Sequence, residues 1–157
     1  VAEVTPDEVS QTPARRHLEV DHRDLKENAV NLALWIVAGL LAVVALTGGV
    51  SKTFVAKEKL AGIPGGQWTG DFGAGFVKAL GVLELLAAIG LILPALVGVA
   101  PVVVPVTAAC WVLLMIGAMI THLGHDGAAK FVALNLTYLA LAAFLAWGRF
   151  GPAPFTA

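Results

Sequence analysis

The chain has 157 residues, 58% of them hydrophobic and 13% charged, with a formal net charge of −1. Soluble domains average about 45–50% apolar and about 25% charged residues, so this composition, with a mean hydropathy of +0.83, excludes an ordinary soluble domain. The near-neutral charge leaves no basic field for nucleic acid, and a single cysteine, Cys110, excludes a disulfide or dithiol couple within the chain.

Residues 1–28 mix charges of both signs with prolines and few large aliphatics. That pattern predicts a polar arm, disordered or ordered by a partner, in which Ala14 to Glu27 can form one short helix. The first 30 residues lack the apolar run of a signal peptide. An uncharged span follows over about residues 30–50, with Lys52 just beyond it and Trp35 near its start. About 20 apolar residues cross a bilayer as a helix. From Ser51 the first helix can continue until Gly62 and Pro64 stop it. Trp68 then suits the membrane interface, and Asp71 is a plausible N-cap for the next helix.

The second span covers about residues 72–97, with Pro94 tolerated inside it. A turn near Gly98 to Pro101 leads to a third span over about 102–121. The polar HLGHDGAAK leads into a fourth, over about 128–147, and Arg149 lies just beyond, able to snorkel to the headgroups. Residues 151–157 read as a loose tail. The predicted fold is therefore all-α: a transmembrane domain over residues 29–150, built as an antiparallel up-down-up-down four-helix bundle with both termini on one side. The two sides carry equal numbers of basic residues, Arg15, Arg16, Arg23, Lys26 and Arg149 against Lys52, Lys57, Lys59, Lys78 and Lys130, so charge does not set the orientation. The polar arm favours termini in the cytoplasm.

An ionisable side chain in hydrocarbon needs a partner or water, and Glu84 is one. It stands about 12 residues into the second span, roughly 18 Å at 1.5 Å per residue. Asn135 stands about seven residues, roughly 10 Å, into the fourth. Lys52 and His122 close the first and third spans, so all four fall at mid-membrane or in the same half of the bundle. Helical spacing puts Thr47, Gly48, Ser51 and Lys52 on one stripe, and Leu80, Gly81, Glu84, Ala87 and Ala88 on another. Trp111, Met115, Ala118 and His122 form a third stripe, and Phe131, Asn135, Tyr138 and Ala142 a fourth. The candidate polar pocket is thus Thr47, Ser51, Lys52, Glu84, His122, Asn135 and Tyr138. It would either hold the helices in register or bind a quinone headgroup, a lipid headgroup or a proton. His122, His125 and Asp126 are ligand-type side chains close in sequence, but Gly124 and Gly127 loosen their loop and no metal site is predicted. Cys110 and Trp111 read as packing. No phosphate loop, Ser–His–Asp arrangement or nucleic-acid motif occurs.

The polar positions resemble those of the DoxX-like family of small bacterial membrane proteins. The resemblance lies in GGVSK ending the first span and GVLELLAAIGLILP in the second, with a His closing the third span and an Asn in the fourth; it covers about Asn31 to Phe150. It implies a four-helix bundle in the bacterial inner membrane, with Lys52, Glu84, His122 and Asn135 as the polar positions. Its relatives include a subunit of a thiosulfate:quinone oxidoreductase and membrane partners of thiol and superoxide detoxification enzymes. The expected role is a non-catalytic accessory subunit of a membrane redox or respiratory complex, in contact with other subunits and lipid. The alternatives are a quinone-binding oxidoreductase subunit that uses a Glu84–His122 pocket for protons, and a lipid or small-solute carrier. No cofactor is expected in the chain itself.

Overall fold

The computed structural model describes the backbone of residues 13–155 and the side chains of residues 22–155. Residues 1–12 of the predicted arm lie outside the described residues. Four long helices carry the fold: α1 (Pro13–Phe54), α3 (Ala74–Leu96), α4 (Val103–His122) and α5 (Ala128–Phe150). A short helix α2 (Lys57–Ala61) and a 3-10 turn (Gln67–Asp71) lie between α1 and α3. Each long helix contains a window long and apolar enough to cross a membrane. The protein is a small multi-pass membrane protein.

α1 packs chiefly on α3 and α4 chiefly on α5, while α3–α4 and α1–α5 contacts close the ring. The order is up-down-up-down, and the start of the first span meets the end of the last. Leu34 lies against Gly148, and Asn31 is hydrogen-bonded to Arg149. The core is small: Leu34, Ala38, Leu41 and Ala45 of α1 meet Leu91, Ala108, Trp111, Met115, Ala142 and Leu145. The outer faces carry Leu40, Val43, Leu83, Leu86, Leu113 and Ile120, as contact with lipid tails requires.

Lipid tails are as apolar as leucine, so transmembrane helices associate through close packing and polar contacts rather than hydrophobic burial. The α1–α3 seam illustrates this. A Cβ added at Gly49 would stand 2.8 Å from the Gly81 carbonyl oxygen and 2.9 Å from the Leu85 amide nitrogen. One added at Gly81 would stand 2.8 Å from the Thr53 amide nitrogen. Two backbones therefore meet where both helices have dispensed with side chains.

The ends of the bundle differ from the sequence-based expectation in three ways. α1 is continuous from Pro13, so one helix of 42 residues, about 63 Å long, runs from the polar segment into the membrane; its residues 22–29 are exposed on all sides. At its other end α1 does not reach Gly62. It stops at Phe54, and Ala56 turns extended before α2 begins. This break lets the loop fold back and bury Leu60, Trp68 and Thr69, with Lys57 Nζ donating to the Phe72 carbonyl at 2.9 Å. The C-terminal tail is not loose over residues 151–155: Ala153 N–H donates to the Gly148 carbonyl at 2.9 Å, and Phe155 packs edge-on against Trp35, 5.8 Å between ring centroids. Pro94 lies inside α3 without ending it.

The seam makes opposite outcomes expected for three glycines of this bundle. Gly49→Ala and Gly81→Ala should each lower stability by about 1–3 kcal/mol through overpacking. Gly39 has open space around its would-be Cβ, so Gly39→Ala should be neutral or stabilise by up to about 1 kcal/mol. Reversible unfolding in mixed detergent micelles would distinguish them; equal effects at all three sites would contradict the close seam.

Candidate functional site

Lys52 sits in the last turn of α1, where a cation also complements the helix dipole. Its ammonium donates to both oxygens of Glu84, at 2.9 Å to Oε1 and 2.8 Å to Oε2. Gly48, one turn before Lys52, makes the space: a Cβ there would stand 2.7 Å from Oε2. The Lys52 and Glu84 side chains are only 19% and 7% exposed, which sets this pair apart from a solvated surface bridge. Lys52 Nζ also lies 6.0 Å from the centre of the Trp68 ring, near the outer limit of a cation–π contact. Trp68 reaches it because α2 and the 3-10 turn fold over the end of the bundle.

Beside the pair lies a cavity of about 430 Å³. Gly48 and Lys52 of α1, and Leu80 and Glu84 of α3, form one wall. Trp111, Met115, Ala118 and His122 of α4 supply another, and Phe131, Asn135 and Tyr138 of α5 a third. Glu84, His122 and Asn135 are all buried. The His122 ring stacks on Phe131, 5.1 Å between centroids with 19° between planes. Trp111 Nε1 is buried and has no hydrogen-bond partner among the described residues. Leu113 and Leu134 also line the cavity yet are exposed on the outer face, so its rim reaches the lipid-facing surface.

The structure therefore brings together Lys52, Glu84, His122, Asn135 and Tyr138. It does not bring Thr47 or Ser51 to them. Thr47 Oγ1 donates to the Val43 and Val44 carbonyls of its own helix, and Ser51 Oγ donates to the Thr47 carbonyl. Neither lines the cavity. The reason is angular: successive residues stand about 100° apart on a helix, and Gly48 and Lys52 hold the direction facing α3. Glu84 meets Lys52 rather than His122, so the two members of the expected proton pair are not hydrogen-bonded to each other.

The three ligand-type residues at the α4–α5 junction are divided. His122 stacks in the cavity, whereas His125 Nε2 contacts Asp71 Oδ2 at 2.8 Å. Among the described residues no three His, Cys, Asp or Glu side chains gather to hold a metal. Asp71 caps no helix; the N-cap of α3 is Gly73, without a side-chain hydrogen bond. Helical spacing puts Trp111 on the stripe that lines the cavity but predicts only packing for it, and Trp68, expected at the interface, lines the cavity as well. The spacing of Trp111 from His122 carries its facing; its missing partner has no sequence signal.

The second ion pair offers a contrast. Asp71 is 59% exposed in its side chain, and exposed pairs contribute about 0–1 kcal/mol. Asp71→Asn should therefore shift stability by less than about 1 kcal/mol, read as the unfolding midpoint in detergent. A larger loss would mean that the loop fold depends on this bridge.

The model of the DoxX-like family matches residues 36–145. No curated protein and no solved structure matches the chain. The matched residues contain Lys52, Glu84, His122 and Asn135 and leave the polar N-terminal segment and Arg149 outside. The chain belongs to the DoxX-like family.

Proposed function

We propose that this protein is an accessory subunit that holds a small, mostly apolar, carbonyl-bearing molecule of the quinone class within a bacterial cytoplasmic membrane, for use by a partner redox enzyme. The observation that carries the reading is the wall of the cavity. Its polar groups come from different helices, and Trp111, whose residue lines the same wall, carries a buried N–H with no protein acceptor among the described residues. A buried donor without a partner is costly, and a small turn of the ring that opens this N–H to the cavity would let a ligand oxygen supply the missing acceptor.

Four further features fit this class of ligand. Small-molecule sites are concave and mostly apolar, of about 300–1,000 Å³, with few polar groups, and this cavity has that size and make-up. Its aromatic walls, Trp68, Trp111, Phe131 and Tyr138, suit a flat ring. Its rim at Leu113 and Leu134 gives a lipid-dissolved molecule a way in without crossing water. Lys52 and Glu84 neutralise each other in the wall, which favours an uncharged guest. Reduction of a quinone takes two electrons and two protons, and in this reading a partner supplies the electrons. The exposed helical stretch of α1 over residues 22–29 and the folded loop before α3 are surfaces where such a partner can dock.

Titration of a short-tailed benzoquinone into the purified chain in nanodiscs of neutral lipid should give saturable, one-site binding by calorimetry. Trp111→Phe keeps the ring and removes the N–H; it should weaken binding about tenfold, the worth of one hydrogen bond of about 1.4 kcal/mol. Non-saturable partitioning, or equal affinity of Trp111→Phe, would sink the binding claim. The accessory claim fails separately if the chain, isolated from native membranes in mild detergent, brings no redox enzyme with it.

A further inference from the structure

The opposite end of the bundle holds a second polar feature that the cavity does not use. Arg149 was expected to snorkel outward from the end of the last span. Instead it is 5% exposed, enclosed between α1, the end of α5 and the folded C-terminal tail. Its Nη1 donates to Asn31 Oδ1 at 2.8 Å and to the Ala153 carbonyl at 3.1 Å. Its guanidinium carbon lies 4.0 Å from the centre of the Phe155 ring and 5.7 Å from that of Trp35. No carboxylate lies within ion-pair distance of it among the described residues.

Two of its donors are left over. Nε and Nη2 are buried and have no hydrogen-bond partner among the described residues. These two nitrogens share one edge of the guanidinium, and that edge is the fork that grips two oxygens of a phosphate or carboxylate side by side. Arg149 also lines a cleft of about 310 Å³ with Pro101, Pro105, Pro154 and Phe155. The charge, the two unpartnered donors and a cleft thus meet at one side chain; the two nitrogens are closed off from the cleft, and a phosphate reaches them when the side chain or the tail over it shifts.

We propose that the Arg149 cleft binds one phosphate group, presented by an anionic lipid headgroup or by a free phosphate. A buried, uncompensated cation is costly near a membrane, and a phosphate would supply both the counter-charge and the two missing acceptors. The level in the bilayer agrees: Trp35 and the exposed Trp147 flank Arg149, and tryptophans gather where headgroups begin. The site is independent of the quinone-type cavity, which lies at the Lys52 end.

The test uses the full chain, delipidated in a neutral detergent, with the unfolding temperature as readout. Phosphatidylglycerol is titrated in one arm and inorganic phosphate in another, with phosphatidylcholine and chloride at matched ionic strength as controls. A saturable rise above the control in at least one arm is expected. A rise with phosphatidylglycerol alone assigns the phosphate to lipid, and a rise with both shows that the free anion suffices. Arg149→Lys keeps the charge and loses the fork, so its half-saturating concentration should rise about tenfold or more. The proposal is overturned if neither arm of the wild-type chain saturates above its control, or if Arg149→Lys binds as tightly as wild type. Should that variant not fold, the wild-type arms alone decide.

Discussion

The Lys52–Glu84 contact is the constraint on which the rest of the bundle depends. A carboxylate ten residues into a transmembrane helix cannot stand alone in hydrocarbon, because the surroundings offer neither water nor polarisable groups. Lys52 resolves this by placing its ammonium against both carboxylate oxygens. Around this pair α1 and α3 approach almost backbone to backbone. Gly48 leaves room for the carboxylate, and Gly49 and Gly81 remove the side chains that would hold the helices apart. The charge pair and the glycine seam are one device: the glycines let the helices close, and the pair fixes their register once closed.

Closing α1 on α3 at this point shapes what lies beside it. Two backbones in contact form one firm wall, and α4 and α5, with larger side chains, stand across from it. The space between is too wide for Gly48 and Ala118 to fill, and it becomes the cavity. The loop after α1 completes it. Because α1 ends at Phe54 rather than continuing, Trp68 comes down over Lys52 and covers the bundle end. The site is thus a by-product of where the small residues lie, with aromatic rings supplying its lining.

Much of this was legible in the sequence, and the failures have definite causes. Four apolar spans and the three-to-four spacing of α3, α4 and α5 put Glu84, His122, Asn135 and Tyr138 on the stripes that line the cavity, since Glu84 stands alone among apolar residues and the only polar residues close to the others in their helices are Thr121 and Thr137. On α1 the polar residues are adjacent, and Thr47 and Ser51 cannot be told from Gly48 and Lys52 by periodicity alone. Their hydroxyls bond to their own helix, which frees them from needing the pocket. Arg149 follows the last apolar residues and so resembles a snorkelling anchor, but residues 151–155 fold over it, and loop conformation has no periodicity to read. Asp71 stands where an N-cap would, yet His125 from a distant loop claims it.

The bundle depends on the buried pair acting as a unit, and a double-mutant cycle measures that most directly. Stability of wild type, Lys52→Met, Glu84→Gln and the double variant would be read from reversible unfolding in mixed micelles. Removing Lys52 strands a charge in the membrane half of the bundle and should cost about 3–5 kcal/mol. Removing Glu84 alone should cost a comparable amount for the same reason. The double variant, which strands nothing, should be no less stable than the worse single variant. Losses that simply add, or single losses below about 1 kcal/mol, would contradict the claim that Lys52 and Glu84 hold the bundle and its cavity together.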